Sequence, residues 1–472
     1  MDIAVIGAGI SGLSCAWKLR RDGVAAVLDA SLLDASRAEL NSNLTPNVTL
    51  YEANDYAGGH THTVDVEVDG IRHPVDTGFL VFNHRTYPRL VALFDELGVR
   101  TAASEMTFSV KLSGRGTRAI EWAGTDLDSV FIQRRNLFDP RFLRMLADLL
   151  RFNRQTMALA QSGSATLDTW TLGEFLDEHR YSKVFRDWYL LPMAAAIWSC
   201  STAQMREFPL ATFVRFCANH GLLQVTDRPQ WYTVEGGARN YVERLLASLA
   251  DVRIGEPALG VARVRSNGAS KVAVLSGRGT AARATALYDH VVLACHSDQS
   301  LALLEPAERD ERALLSAVRY QKNRAILHTD AGVLPSRRGA WAAWNYQCEI
   351  TRAASAAPAD RAVCVHYLIN KLQPVSFERP VILSLNPTHA IEPATILGDF
   401  DYAHPVFDRC AINAQRRLPE IQGRGNVWYC GAWTGYGFHE DGLKSGLDVA
   451  QAIAARGVTD GRMAASEARL AA

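Results

Sequence analysis

Three glycines within six residues carry the most specific chemistry in this chain. Gly7, Gly9 and Gly12 stand in Gly7-Ala8-Gly9-Ile10-Ser11-Gly12, a spacing that cradles a dinucleotide pyrophosphate when it joins a strand to a helix. The flanks supply that context. Asp2-Ile3-Ala4-Val5-Ile6 is an apolar run expected to form a buried parallel strand, and Leu13-Ser14-Cys15-Ala16-Trp17-Lys18-Leu19 continues with helical spacing. Gly7 permits the tight turn, Gly9 admits the pyrophosphate to the backbone, and Gly12 packs helix on strand. Unpaired N–H groups and the positive dipole end of the helix then face the phosphates.

Such a cradle needs an acid at the end of the second strand to hold a ribose hydroxyl. Two segments offer one. Ala25-Ala26-Val27-Leu28-Asp29 lies at the usual distance, whereas Val48-Thr49-Leu50-Tyr51-Glu52 comes later but leads through Ala53 to Ala57-Gly58-Gly59-His60. Glu52 is preferred, because Gly58-Gly59 gives a second close backbone approach to the phosphates. Residues 29–46 then form an insertion, which a surface loop tolerates because closure entropy grows slowly with length.

The rest of the chain must position this cradle. At 472 residues it can bury a large core and divide into two or more lobes. Lys plus Arg equals Asp plus Glu, 50 each, so nothing global points to nucleic acid or another polyanion. The eight cysteines are scattered without a C-x-x-C pair, which argues against a disulfide framework or a zinc site; no metal is expected. A strand that begins at residue 2 leaves no room for a signal peptide, and no stretch has membrane-spanning length. A cytoplasmic location is the expectation.

Residues 64–70 alternate as a hairpin strand, 87–98 have helical periodicity, and 127–186 read as mostly helical, followed by a helix over 210–217. Residues 231–237 return toward the cofactor lobe, strands are expected at 252–254, 261–264, 271–276 and 288–295, and second-sheet strands at 325–328 and 363–367. A strand over 426–432 precedes a helix running to about residue 455, with a fraying tail from Thr459.

In this order the pieces resemble the two-domain flavoproteins of the amine oxidase, phytoene desaturase and protoporphyrinogen oxidase superfamily. The resemblance rests on the residue 7–13 string, Glu52 with Gly58-Gly59, Gly236-Gly237, the strand over 291–294, and Gly431 through Gly446. A narrower match covers nearly the whole chain. Gly59-His60-Thr61, Gly78-Phe79-Leu80-Val81-Phe82-Asn83, Thr86-Tyr87-Pro88, Ser104-Glu105-Met106-Thr107-Phe108-Ser109-Val110 and Gly437-Phe438-His439-Glu440-Asp441-Gly442 look like the flavin-dependent proteins encoded beside, or fused to, cyclopropane fatty acid synthases.

The resemblance implies an α/β fold with a Rossmann-like FAD-binding domain and a second, α+β substrate domain. The FAD domain would take residues 1–90, 231–300 and 421–472. A mainly helical substrate part would take 91–230, and its sheet 301–420. It implies FAD, held non-covalently because no attachment cysteine or histidine is identifiable. Glu52, followed by Ala53, would hold the adenosine ribose. Gly7, Gly9, Ile10, Ser11, Gly12, Gly58, Gly59 and His60 would line the pyrophosphate region, and Ala258 would lie near the adenine. Gly78, Phe79, Gly431 and backbone groups of Glu440, Asp441 and Gly442 would approach the isoalloxazine.

Two departures from the superfamily stand out. Ala432 replaces an acid that follows the last strand's glycine, and the window for a lysine near flavin N5 reads Lys322-Asn323-Arg324. Both argue against a plain amine oxidase. His60 and His439 are the candidates to move a proton, each weighed against a role in tying down its turn. Trp433 and Tyr436 are read as pocket walls, whereas Trp344 and Tyr346 are read as packing. Asp441, in the first turn of a helix, is read as a cap before a base.

Three functions are therefore carried forward. The leading one is an FAD-dependent oxidoreductase that dehydrogenates a modified or unsaturated fatty acyl chain of a phospholipid. Hydride would pass to flavin N5, with reoxidation by oxygen or another acceptor, and a cyclopropane fatty acid synthase-like methyltransferase would be a functional partner. The others are an amine oxidase acting on a small molecule and a non-catalytic flavin-binding partner of an acyl-modifying enzyme. Arginines at 134, 135, 141, 144, 151 and 154 among Phe131, Phe138, Phe142 and Leu150 fit either a solvated helix face or peripheral contact with a membrane.

Overall fold

A computed structural model describes residues 1–31, 46–114, 117–162, 169–224, 228–278, 283–349 and 363–470. Five parallel strands form the sheet beneath the glycine turn. Their order is Asp251–Ile254, Asn47–Glu52, Asp2–Ile6, His290–Leu293 and Val427–Tyr429. This is a doubly wound arrangement, with chain order reversing beside the first strand, where a ligand crevice opens outside the carboxyl ends. Strand alternation assigns the two faces. Ile3 and Val5 pack with Leu13 and Leu50 on one side, while Ala4 and Ile6 pack with Val291, Leu293 and Tyr429 on the other.

The helix after the turn runs Ile10–Ser31. It carries through Ala25 to Asp29, so the strand that would have offered Asp29 as the ribose acid does not form. Ala25, Ala26 and Leu28 are good helix formers and extend the helix. Glu52 is the acid at the end of the second strand. The rest of the expected insertion, residues 32–45, lies outside the described residues.

A seven-stranded sheet forms the second layer. Its order is Ile396–Val406, Arg319–His328, Ile382–Leu385, Cys364–Leu368, Trp344–Glu349, Phe108–Gly114 and Thr117–Ala123. Only Trp344–Glu349 with Phe108–Gly114 pairs parallel. Two of these strands come from the stretch expected to be mainly helical, because Val110, Leu112, Ile120 and Trp122 alternate with polar neighbours. The helices Pro140–Ser162, Leu172–Glu178, Leu191–Trp198 and Leu210–Asn219 pack beside it. The last helix, His439–Leu470, extends beyond the expected fraying point at Thr459.

Candidate functional site

The glycine-turn end is built from backbone. Gly7 has φ +106°, and a Cβ there would stand 2.8 Å from the Ala294 carbonyl oxygen. A Cβ on Gly12 would overlap the Gly7 carbonyl oxygen, whereas a Cβ on Gly9 would meet nothing within 4 Å. Gly7 and Gly12 are thus glycine for the fold, and Gly9 leaves an open approach. The second glycine turn docks on the first: Gly58 N donates to Ala8 O at 2.8 Å, and a Gly59 Cβ would lie 3.2 Å from Gly9 Cα. The Glu52 carboxylate is held at the mouth, with Oε2 accepting from Ala8 N (2.8 Å) and Oε1 from Asn54 N (2.9 Å). Ala53 is exposed beside it. Glu256 N bonds to Glu52 O at 2.9 Å, and Ala258, two residues on, begins the strand Ala258–Ser266.

The last helix closes the turn from above. A Cβ on Gly442 would come within 2.9 Å of Ile10 Cγ2 and Ser11 Oγ, and one on Gly446 would overlap Ser11 O. Ser445 Oγ accepts from Gly431 N at 2.9 Å, tying the last strand's end to this helix. Side chains at the helix start serve structure. Glu440 accepts from Arg89 N and Leu90 N, both 3.0 Å, and so caps the helix Pro88–Leu97, which has no capping side chain of its own. Asp441 accepts from Phe438 N at 3.0 Å, and burial raises its pKa to about 6. The Gly442 backbone packs against Ile10 and Ser11 at the start of the first helix.

The two histidines differ sharply. His439 stacks on Phe79, with ring centroids 3.9 Å apart and planes 11° from parallel. Its Nε2 is 2.6 Å from Tyr241 Oη and 3.2 Å from Thr61 Oγ1, and Thr61 and Tyr241 bond to each other. Burial pushes its pKa down to about 3. His60 instead has a buried Nε2 without a hydrogen-bond partner among the described residues. The backbone of His60 accepts from Phe79 N at 2.8 Å, and a Gly78 Cβ would overlap that same carbonyl. Its ring is 5.1 Å from those of Tyr402 and His404 and 6.2 Å from His296. Burial, reinforced by the neighbouring imidazoles, drives the His60 pKa well below its usual range, and burial puts His404 at about 4. Both are neutral at physiological pH.

His404 Nδ1 lies 2.8 Å from Asn323 Nδ2, and Asn323 Oδ1 accepts from Asn386 Nδ2 at 2.7 Å. Asn323 is buried, while Lys322 and Arg324 on either side are exposed. Strand parity with Ala325 and Leu327 could have placed Asn323 inward and Lys322 outward. Sequence reasoning missed His404, Tyr402, His296 and Tyr241, which meet His60 or His439 from strands and helices far along the chain, and it gave no role to Asn323, which reaches His60 only through His404. Among the described residues, no group of three His, Cys, Asp or Glu side chains could hold a metal ion.

Two expected wall residues separate. Trp433 is buried on the far face of the parallel sheet, its indole N–H donating to Cys295 O at 3.2 Å. Tyr436 is half-buried beside Phe216, and its carbonyl accepts from Trp198 Nε1 at 3.3 Å. A cleft of about 570 Å³ opens nearby, lined by Ser104, Glu105, His220, Gln230, Trp231 and Lys371. A Lys371–Glu105 ion pair of 2.8 Å crosses its rim. His220, on its wall, lies 6.0 Å from Phe438, the residue before His439.

The family model described as flavin containing amine oxidoreductase matches residues 10–454. Cyclohexylamine oxidase from Brevibacterium oxydans IH-35A is 18% identical to this chain, with 96% of this chain and 99% of that chain covered and a TM-score of 0.62. Putrescine oxidase bound to putrescine is 16% identical over 96% and 99%, also with a TM-score of 0.62. A fatty acid isomerase from P. acnes that produces CLA is 15% identical over 95% and 97%, with a TM-score of 0.59. No curated protein matched the sequence.

Proposed function

The chain belongs to the flavin-containing amine oxidoreductase family, and on that premise we propose that it binds FAD non-covalently and dehydrogenates a fatty acyl chain, that of a phospholipid. Family membership makes it a flavin-dependent oxidoreductase; the cofactor's identity and the substrate are the proposed steps. The residues suit FAD. Gly9 leaves open space at the helix N-terminus, and Glu52 is fixed where a ribose hydroxyl would arrive. When bound, the flavin supplies the two-electron acceptor chemistry.

The observation that carries the acyl reading is the neutrality of the inner site. Burial keeps His60, His404 and His439 uncharged, and the buried residue in the lysine window is Asn323. Glu440 and Asp441 are turned onto backbone N–H groups. An alkyl segment enters such a lining without stranding a charge, whereas an ammonium group would need a carboxylate to face it. Removing two hydrogens from adjacent carbons as hydride and proton leaves a double bond; His60 Nε2, unpartnered but made weakly basic by burial, would receive the proton in passing and hand it on to solvent. A methyltransferase of the cyclopropane fatty acid synthase type would then supply the modified chain.

The rings of His220, Trp231 and Phe438 favour a second reading, oxidation of an amine, as the names of two similar structures indicate for those proteins. The fatty acid isomerase among them bears on the first. Anaerobic bleaching of the flavin absorbance separates the two. The panel contains primary amines and polyamines, free fatty acids, and phospholipids with unsaturated, methyl-branched or cyclopropane chains. Bleaching by phospholipid alone supports the acyl reading, and bleaching by an amine alone overturns it.

A further inference from the structure

Five of the nine large apolar side chains exposed among the described residues lie between Leu127 and Leu150. Leu127 is 77% exposed, Phe138 86% and Leu150 60%; Leu137 and Leu143 complete the set. They occupy one run of structure: the short helix Leu127–Val130, the 3₁₀ turn Arg134–Phe138 and the helix Pro140–Ser162. On that helix Leu143, Ala147, Leu150 and Arg154 follow at helical spacing along the exposed face, while Phe142, Met145 and Phe152 are buried beneath. A concentration of this kind marks a contact surface, since scattered apolar exposure needs no explanation.

The charges around it choose the partner. Residues 125–154 contain six arginines and four aspartates, with no lysine or glutamate. Arg134 pairs with Asp128 (3.0 Å), Arg141 with Asp139 (2.9 Å), and Arg144 and Arg151 with Asp148 (3.2 and 3.1 Å). The Arg337-Arg338 turn adds two more guanidinium groups, because a Cβ on neighbouring Gly339 would stand 3.0 Å from Ile132 Cδ1. Eight arginines against four aspartates leave a positive excess around protruding Leu and Phe side chains. Guanidinium groups pair with phosphate oxygens, and apolar side chains of this size enter the boundary between headgroups and acyl chains. No helix among the described residues is long and apolar enough to cross a membrane, so contact through this surface would be peripheral.

We propose that this arginine-rimmed apolar surface rests on an anionic phospholipid bilayer. The inference holds whether the substrate is an acyl chain or an amine. The test is sedimentation of the flavin-loaded protein with phosphatidylcholine vesicles, with and without phosphatidylglycerol. Binding to the anionic vesicles is expected, weakening as salt rises. Phe138→Asp combined with Leu150→Asp should lower partitioning by at least about tenfold, while Leu287→Asp, at an exposed apolar site elsewhere, should leave it unchanged. If the double variant loses its flavin, Arg134→Gln with Arg141→Gln takes its place and should also lower binding. Failure of the unaltered protein to bind anionic vesicles overturns the proposal. So does a dimer in solution that the double variant dissociates, since a second copy would then cover this face.

Discussion

The two ends of the candidate site are made of different material. At the glycine-turn end the parts are glycine backbone and one carboxylate, and they lie within residues 7–59 apart from the helix that closes over them. At the histidine end, side chains from five separate stretches meet around His60 and His439. The first end tolerates almost no change in shape. The second depends on which nitrogen is left free and on how little water reaches it.

Substitutions that act on only one end sharpen this contrast. The largest effect is expected at Gly12→Val, whose side chain would overlap the Gly7 carbonyl; retained flavin absorbance should vanish and the melting temperature should fall. Gly9→Val is the companion, because its side chain meets open space. It should abolish flavin retention while leaving the melting temperature of the flavin-free protein in place. Equal destabilisation by the two variants would break the distinction between a fold glycine and a ligand glycine.

The histidine end should respond in rate. His60→Gln is expected to slow anaerobic flavin reduction by roughly 100-fold or more, with FAD affinity little changed. A matching loss from His439→Gln, whose Nε2 is already bonded to Tyr241 and Thr61, would erase the difference drawn between them. Next in size is Glu52→Ala, which should weaken FAD binding by roughly 1–3 kcal/mol, seen in a flavin fluorescence titration. An unchanged dissociation constant would remove Glu52 from the cradle.

The smallest effect is in pH. His404 and His220 have folded pKa values lowered to about 4 by burial, so between the usual histidine range and that value the unfolded chain binds more protons. Their contribution to stability is complete above about pH 6.5 and is lost as the pH falls toward 4. Urea midpoints measured between pH 7 and 4.5 should decline. A rising midpoint would show that these rings are not held neutral.

The same contrast explains what could be read in the sequence. The glycine spacing, Glu52 with its second glycine turn and the buried strands at residues 2–6 and 290–293 follow from local rules, since spacing and apolar runs are carried by neighbours in the chain. Asp29 misled only as an alternative, through a helix longer than the usual interval to the second strand. Trp433 sat inside an informative string yet faces the far side of the sheet, because its string says little about which way a buried indole turns. The neighbours of His60 come from residues 296, 402 and 404, and no local pattern joins them.

The crossing at Ser11, Gly442 and Gly446 has a consequence for biosynthesis. Two segments about 430 residues apart must touch before the glycine turn is closed. At translation rates of about 5–20 residues per second, the first strand and helix wait roughly 20–90 s for that partner. For about the first two-thirds of that wait the first strand also lacks its neighbour at residues 290–293, which leaves an unpaired edge open to other chains. Nascent chains released early would therefore expose the glycine turn without its cover, so yield in the cell should depend on chaperones and on flavin supply at the end of synthesis.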